Sequence, residues 1–356
     1  MSYDARLREK ANQLLDNHFS LLKYNKQITL CRQTIDIHFS DEILANKYYP
    51  ALQHLETNNA ESAASFSLFV IDIGLLAERK YSSLAAFLAI FFQNESNHTD
   101  QISSGSHYLA FDDFAYYFNH ETHWGIWFIN QSKDFSQWHF ANPFRYFFYN
   151  WLLYKNYQLI HAAAITDGNT VVLLSGPSGA GKSTTAIMCL QAGYQLLGDD
   201  HCAVSLETNP RVFSLYNTVK LDKKLLVKEL HAFKAYANEF IHTEQMHKAI
   251  INVPRNNKDA MQNNLPLSAV VNIHINASLT NPIIKNMDKL TALKKLSLST
   301  IEQCPLISRR KVFANIKDII ESTSCYDLTL CSNHQKNLTK ISDLFYARRI
   351  HHHSLL

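Results

Sequence analysis

Residues 173–200 read LLSGPSGAGKSTTAIMCLQAGYQLLGDD. The stretch contains GPSGAGKS at 176–183, which satisfies G-x-x-x-x-G-K-[ST] in full. At average residue frequencies that pattern arises by chance in a chain of this length about one time in a hundred. An apolar run precedes it and a helix-forming run, KSTTAIMCLQAG, follows it, the context in which the pattern has physical meaning. The stretch therefore predicts strand, glycine-rich loop, helix stopped by Gly193, and a second strand ending at Asp199 and Asp200.

Glycine usage makes the same point. The chain has nine glycines, and six of them (Gly168, Gly176, Gly179, Gly181, Gly193 and Gly198) fall between 168 and 198. In the loop Gly176-Pro177-Ser178-Gly179-Ala180-Gly181-Lys182-Ser183-Thr184, the glycines let successive N–H groups turn inward around phosphate oxygens. The N-terminus of the following helix adds a favourable dipole. Lys182 is expected to reach the β- and γ-phosphates of ATP, and the Ser183 hydroxyl to ligate Mg2+.

Working outward, the 356 residues suggest two domains, or one with a large extension. Hydrophobic residues make up 46%, enough for a packed core, and the formal net charge is +3. The longest basic cluster is Arg309-Arg310-Lys311, which reads as a solvated helix face, so no nucleic-acid partner is expected. No apolar run reaches about 18 residues, so no membrane span is expected. The N-terminus MSYDARLREK lacks an apolar signal core. The six scattered cysteines include no CxxC pair and read as reduced thiols, which favours the cytoplasm.

Along residues 1–140 the signals are mixed. Leu7, Ala11, Leu14 and Leu15 have helical spacing within 3–24. ITLCRQTIDIHF (28–39) alternates as one strand, and SDEILANKYYPALQHL (40–55) reads as a helix capped by Ser40. FSLFVIDI (66–73) reads as a strand, SSLAAFLAIFFQN (82–94) fits helix or strand with helix favoured, and 107–131 reads as an aromatic-rich hairpin whose rings serve the core. NPFRYFFYNWLLYKN (142–156) reads as a helix with Pro143 in its first turn.

From 158 onward strands and helices alternate. QLIHAAAI and NTVVLLSG read as two strands joined at Asp167-Gly168. CAVSLE, RVFSLYN, KAIINVP (248–254), LSAVVNIHI (267–275) and YDLTL (326–330) read as strands. Helices are expected at 221–233, 286–298, 310–323 and 334–346, and NNKDAMQNN (256–264) as an exposed loop. The terminal ARRIHHHSLL reads as a frayed tail rather than a metal site.

A phosphate loop names no reaction, so the aspartates must. Asp199 and Asp200 lie 17 and 18 residues after Lys182 at a strand end, where side chains reach a phosphate crevice. One carboxylate can hold Mg2+ and the other can accept a proton from an attacking hydroxyl; the sequence does not order them. His161 lies on the strand before the loop, 21 residues before Lys182.

His161, the loop from Gly176 to Ser183, Gly193 and the pair Asp199-Asp200, in this order and spacing, resemble the HPr kinase/phosphorylase family and its serine-kinase relatives. The resemblance covers about residues 158–206. It implies a P-loop kinase core with a central mixed β-sheet of the HPr kinase/carboxykinase type. It also implies that His161 lies beside the aspartates and supports the acid/base step. Lys248 and Arg255 are the candidates for basic residues that touch phosphate, and Lys220 is a candidate for the substrate side. The bifunctional members carry Glu after the loop Ser, where this chain has Thr184, and no Arg- and Gly-rich stretch follows. The resemblance therefore implies a kinase and leaves open whether any phosphorylase activity remains.

The expected architecture is α/β, with an N-terminal α+β module over 1–140 and the kinase domain over 141–356. The expected activity is ATP- and Mg2+-dependent transfer of the γ-phosphoryl group to a Ser/Thr-type hydroxyl. No arginine occurs in 158–206 to bind an acceptor that is already a phosphate, which favours a neutral hydroxyl on a protein, peptide or small molecule. A nucleotide-sensing scaffold and a carboxykinase-like enzyme stand as alternatives, and a homo-oligomer is left open.

Overall fold

The computed structural model describes residues 3–18, 20, 22–57, 64–75, 106–111, 114–119, 121, 123–130, 138–228, 237–242, 247–253, 260–303 and 308–353. The chain separates into two compact units, 1–151 and 152–356. Both have mixed sheets and helices, so the protein is of the mixed α/β class.

In the first unit, α1 (Tyr3–His18) precedes β1 (Tyr24–Leu30) and β2 (Gln33–Phe39). The single strand expected over 28–39 is a hairpin. Cys31 and Arg32 both have left-handed backbone, with φ of 50° and 61°, and Leu30 pairs with Gln33 across them. This is the two-residue turn geometry that normally advertises itself through Asn or Gly. The expected helix over 40–55 is shorter: α2 (Glu42–Tyr48) is capped by the Asp41 side chain rather than Ser40, and a 3-10 helix (Tyr49–Leu55) with Pro50 in its first turn follows. Ser40 instead accepts the Asp72 backbone N–H through its hydroxyl.

β3 (Phe66–Asp72), β4 (Ser106–Ala110), β5 (Phe114–Asn119) and β6 (Trp124–Ile129) complete a six-stranded sheet in the order β1-β2-β3-β6-β5-β4. The expected hairpin over 107–131 is thus a three-strand meander. The expected helix over 82–94 lies outside the described residues. Alternation sorts the strands onto two apolar faces. Ala115, Tyr117, Ile126 and Phe128 meet Ala11 and Leu15 of α1.

The opposite face carries Phe114, Tyr116, Phe118 and Trp127. After the short α3 (Trp138–Ala141), α4 (Arg145–Tyr154) lays Phe147 against Phe66 and Phe118, and Trp151 against Phe66. Gly125 makes room: a Cβ there would stand 2.9 Å from the Phe147 ring. These contacts tie Phe147 and Trp151 to the sheet of the first unit. Pro143 precedes the helix it was expected to open, beside Phe144 at φ 57°.

In the second unit the expected strand QLIHAAAI breaks at His161-Ala162 into β7 (Tyr157–Ile160) and β8 (Ala163–Thr166). β9 (Val171–Ser175) leads into the glycine loop and α5 (Lys182–Gln191), which ends at Gly193 with φ 90°. β10 (Gln195–Gly198), β11 (Cys202–Ser205), β12 (Arg211–Ser214), β13 (Thr218–Asp222) and α6 (Lys223–Lys228) follow. Then come β14 (Ala237–His242), β15 (His247–Asn252), β16 (Asn264–Ile275), β17 (Ile283–Asn286), α7 (Lys289–Gln303), α8 (Arg309–Glu321), β18 (Ser324–Leu330) and α9 (His334–His353).

The larger sheet runs β10-β8-β9-β16-β12-β11-β7, with β18 and β17 joined through β16. β9 and β18 are both parallel to β16, while the remaining pairs are antiparallel. A smaller sheet, β13-β15-β14, faces it across α5: Ala186, Ile187 and Cys189 pack into one core with Val172 and Leu174 of β9 and Val219 and Leu221 of β13. The part of the expected exposed loop that is described, 260–264, is not exposed throughout. Ala260 is buried, and its carbonyl accepts the Leu196 N–H. The side chains of the terminal histidines lie outside the described residues. Among the described residues no helix is long and apolar enough to cross a membrane.

Candidate active site

The carboxyl end of β9 is where the loop begins. Gly176, Gly179 and Gly181 have φ of 147°, 81° and 94°, conformations that L side chains rarely adopt. A Cβ on Gly176 would stand 2.6 Å from the Ile273 carbonyl of neighbouring β16, so the loop rests directly on that strand. A Cβ on Gly179 would meet nothing within 4 Å, so the loop is uncovered at that position. α5 starts at Gly181 with no side-chain cap, leaving its first N–H groups to face the loop. Pro177, Ser178 and Gly179 are exposed, Ala180 is buried, and Ser183 and Thr184 are half-buried.

Lys182 is buried, and its ammonium donates to the carbonyls of Gly176 at 2.7 Å and Pro177 at 3.3 Å. Burial lowers its pKa. The Asp200 and Asp199 charges act the other way, and Lys248 adds to the lowering.

The aspartates lie just past β10, in a tight turn where a Cβ on Gly198 would come within 3.0 Å of the His201 carbonyl. Their surroundings differ. Asp199 is 2% exposed, and its Oδ2 accepts the Lys220 backbone N–H at 3.1 Å. Its Oδ1 is buried with no hydrogen-bond partner among the described residues. Burial, then the Asp200 charge, push the Asp199 carboxyl up to about 6, against the Lys220 N–H, the Ser183 hydroxyl and the Lys220 charge.

Asp200 is surrounded by cations and donors. The Lys220 ammonium is 2.6 Å from Oδ2, His161 Nε2 is 3.3 Å from Oδ1, and His201 Nδ1 is 3.8 Å from Oδ2. Burial alone would raise the Asp200 carboxyl, but the Lys220 charge, the His161 hydrogen bond and His201 outweigh it and hold it well below the usual carboxylate range.

The structure therefore brings together His161, the loop, Lys182, Ser183, Asp199 and Asp200. Lys220, on β13, belongs on the acid pair itself. Lys248, on β15, is close enough for its charge to act on Lys182, and Arg255 lies outside the described residues. His201, Ser299 and Thr300 were not anticipated. His201 had a signal, since it follows the two aspartates directly. Ser299 and Thr300 had none, because only the packing of α7 on the His161 strand break brings them there.

Among the described residues no group of three or more His, Cys, Asp or Glu could hold a metal ion by itself. The donor set still fits Mg2+ of the kind held by one or two carboxylates together with phosphate oxygens. The orphaned Asp199 Oδ1 and the nearby Ser183 hydroxyl are the protein oxygens available for it.

No family model and no curated protein matches the sequence. Among solved structures, the Hpr(Ser) kinase/phosphatase from Coxiella burnetii is similar at 17% identity with a TM-score of 0.30. The match covers 55% of this chain and 99% of that one, a distant likeness.

Proposed function

We propose that the protein is an ATP-dependent kinase that transfers the γ-phosphoryl group to a Ser/Thr-type hydroxyl of a protein, peptide or small molecule. The observation that carries this reading is the asymmetry of the acid pair beside the glycine loop: one carboxylate has a bare buried oxygen, the other is ringed by donors. In this reading the second unit is a P-loop kinase core, and residues 176–184 cradle the phosphates with their N–H groups.

Asp199 and Ser183 are the residues that would hold Mg2+, which when bound screens phosphate charge. Asp200, kept ionised by Lys220 and oriented by His161, accepts the proton of the acceptor hydroxyl. The acceptor oxygen forms its bond to the γ-phosphorus as the bond to the bridging oxygen breaks. The proton goes to Asp200 and ADP leaves. Lys182 exchanges its loop carbonyls for phosphate oxygens and offsets the charge that develops there. The five described cysteines are buried thiols, which supports the expected cytoplasmic location.

The test is incubation of the purified chain with γ-labelled ATP and Mg2+, alone and with fractions of the source cell. Label on a protein, peptide or metabolite hydroxyl supports the reading and names the acceptor. Hydrolysis without any labelled acceptor would replace it with a nucleotide-sensing role, and Mn2+-dependent decarboxylation of oxaloacetate would replace it with a carboxykinase.

A further inference from the structure

Two neighbouring residues of α7 grip His161 at both ends. Thr300 Oγ1 accepts the His161 backbone N–H at 3.3 Å. Ser299 faces the ring, with its Oγ 2.8 Å and its backbone carbonyl oxygen 3.2 Å from Nδ1. On the far side of the ring, Nε2 stands 3.3 Å from Asp200 Oδ1.

A neutral imidazole has one N–H and one lone pair, and the partner of each nitrogen decides which is where. With the proton on Nδ1, the Nε2 lone pair would point at a carboxylate oxygen, acceptor against acceptor. With the proton on Nε2, that nitrogen donates to Asp200, and Nδ1 accepts from the Ser299 hydroxyl, whose hydrogen rotates freely. Only the second arrangement of a neutral ring turns both the 2.8 Å hydroxyl contact and the 3.3 Å carboxylate contact into hydrogen bonds, and it does so although the residue 299 carbonyl, 3.2 Å from Nδ1, then gains no donor from the ring. A doubly protonated ring is not required for charge balance, because the Lys220 ammonium already compensates Asp200 at 2.6 Å.

We propose that Ser299 is a positioning residue that, together with Asp200, fixes His161 as the neutral Nε2–H tautomer. His161 then serves Asp200 as a hydrogen-bond donor and does not itself take the acceptor's proton. The consequence for turnover rests on the kinase reading; the tautomer assignment does not.

The tautomer is read from long-range 1H–15N correlation spectra of the 15N-histidine-labelled full chain at about pH 8, above the ordinary histidine range. His161→Gln identifies the signal. The wild type and Ser299→Thr are expected to show a protonated Nε2 and a bare Nδ1. Ser299→Ala is expected to move the proton toward Nδ1, where the backbone carbonyl of residue 299 can accept it. Phosphate transfer from ATP should then fall about tenfold at unchanged KM for ATP, a fraction of a full acid/base contribution. Ser299→Thr should restore it.

A purely structural serine would lower thermal stability in the alanine variant and leave the tautomer where it was, which overturns the proposal. A wild-type ring protonated at Nδ1, or at both nitrogens, overturns it too, whether or not the alanine variant folds. A wild type that transfers no phosphate at all removes the kinase reading and leaves the tautomer result to stand or fall on the spectra.

Discussion

The Lys182 ammonium lies 2.7 Å from the carbonyl oxygen of Gly176, the residue that opens its own loop. The side chain is therefore curled back onto the backbone it is expected to leave when phosphate arrives. Burial disfavours its charge, and the acid pair partly restores it. Lys182→Ala should lower turnover of ATP at least about a hundredfold through lost charge stabilisation in the transition state. Steady-state phosphate transfer measures this, and turnover at the wild-type rate would remove the proposed role.

Lys220 ties the two acids to β13, through its backbone N–H on Asp199 and its ammonium on Asp200. Lys220→Met should leave a largely enclosed carboxylate without its cation and cost about 3 kcal/mol, the lower end for broken buried pairs. In an Asp200→Asn background the same substitution should cost much less. Urea unfolding of the four variants gives the coupling, and equal costs in both backgrounds would show that the ion pair contributes nothing.

The legible parts of this chain are those where one residue type has one physical use. Gly176, Gly179 and Gly181 were readable because their backbone conformations exclude most other residues. The paired aspartates were readable because they follow an apolar strand at short range. The hairpin at Cys31-Arg32 was not, since two ordinary residues adopt left-handed backbone there and the alternation runs on through them. His161 looked like a mid-strand residue, yet the chain breaks at it, and the apolar run on either side is equally good for one strand or two. Lys220 could be named but not placed, because β13 reaches the acid pair through the smaller sheet. Ser299 could not be named at all: a serine inside a helix has no local mark of what it faces.

The thiols of Cys189 and Cys202 are both pushed up to about 12 by burial. Neither should react with an alkylating reagent at about pH 7.5 in the folded protein, because the thiolate is the reactive form. Mass mapping after timed alkylation checks this. Since Cys189 lies in α5 behind the loop, labelling of it well below the main unfolding transition would mean that the loop helix opens on its own.

In the first unit His38 stacks on Phe69 at 4.9 Å, and its Nδ1 is 2.9 Å from Asn25 Oδ1. Burial lowers its pKa from 6.5, and the Asp36 charge opposes this. A histidine whose folded value is depressed favours the folded state fully above 6.5. That contribution is lost as pH falls from 6.5 toward the folded value, because the unfolded chain takes up the proton first. Stability should therefore drop on acidification through this window, and His38→Gln should flatten the slope. Urea melts between about pH 5 and 7.5 measure the difference, and identical slopes would show that His38 is not responsible.

The loop rests on a strand made long after it. Gly176 sits against the Ile273 carbonyl, and β9 pairs with β16 only once residues near 270 exist. During synthesis the glycine loop therefore emerges without its floor, and α7, which grips His161, comes later still. Over this interval β9 lacks its β16 neighbour. Such distant pairing is slow and exposes sticky strands. The second unit thus has a built-in order of birth, in which the residues that define its chemistry are among the first of that unit to be made and the last to become competent.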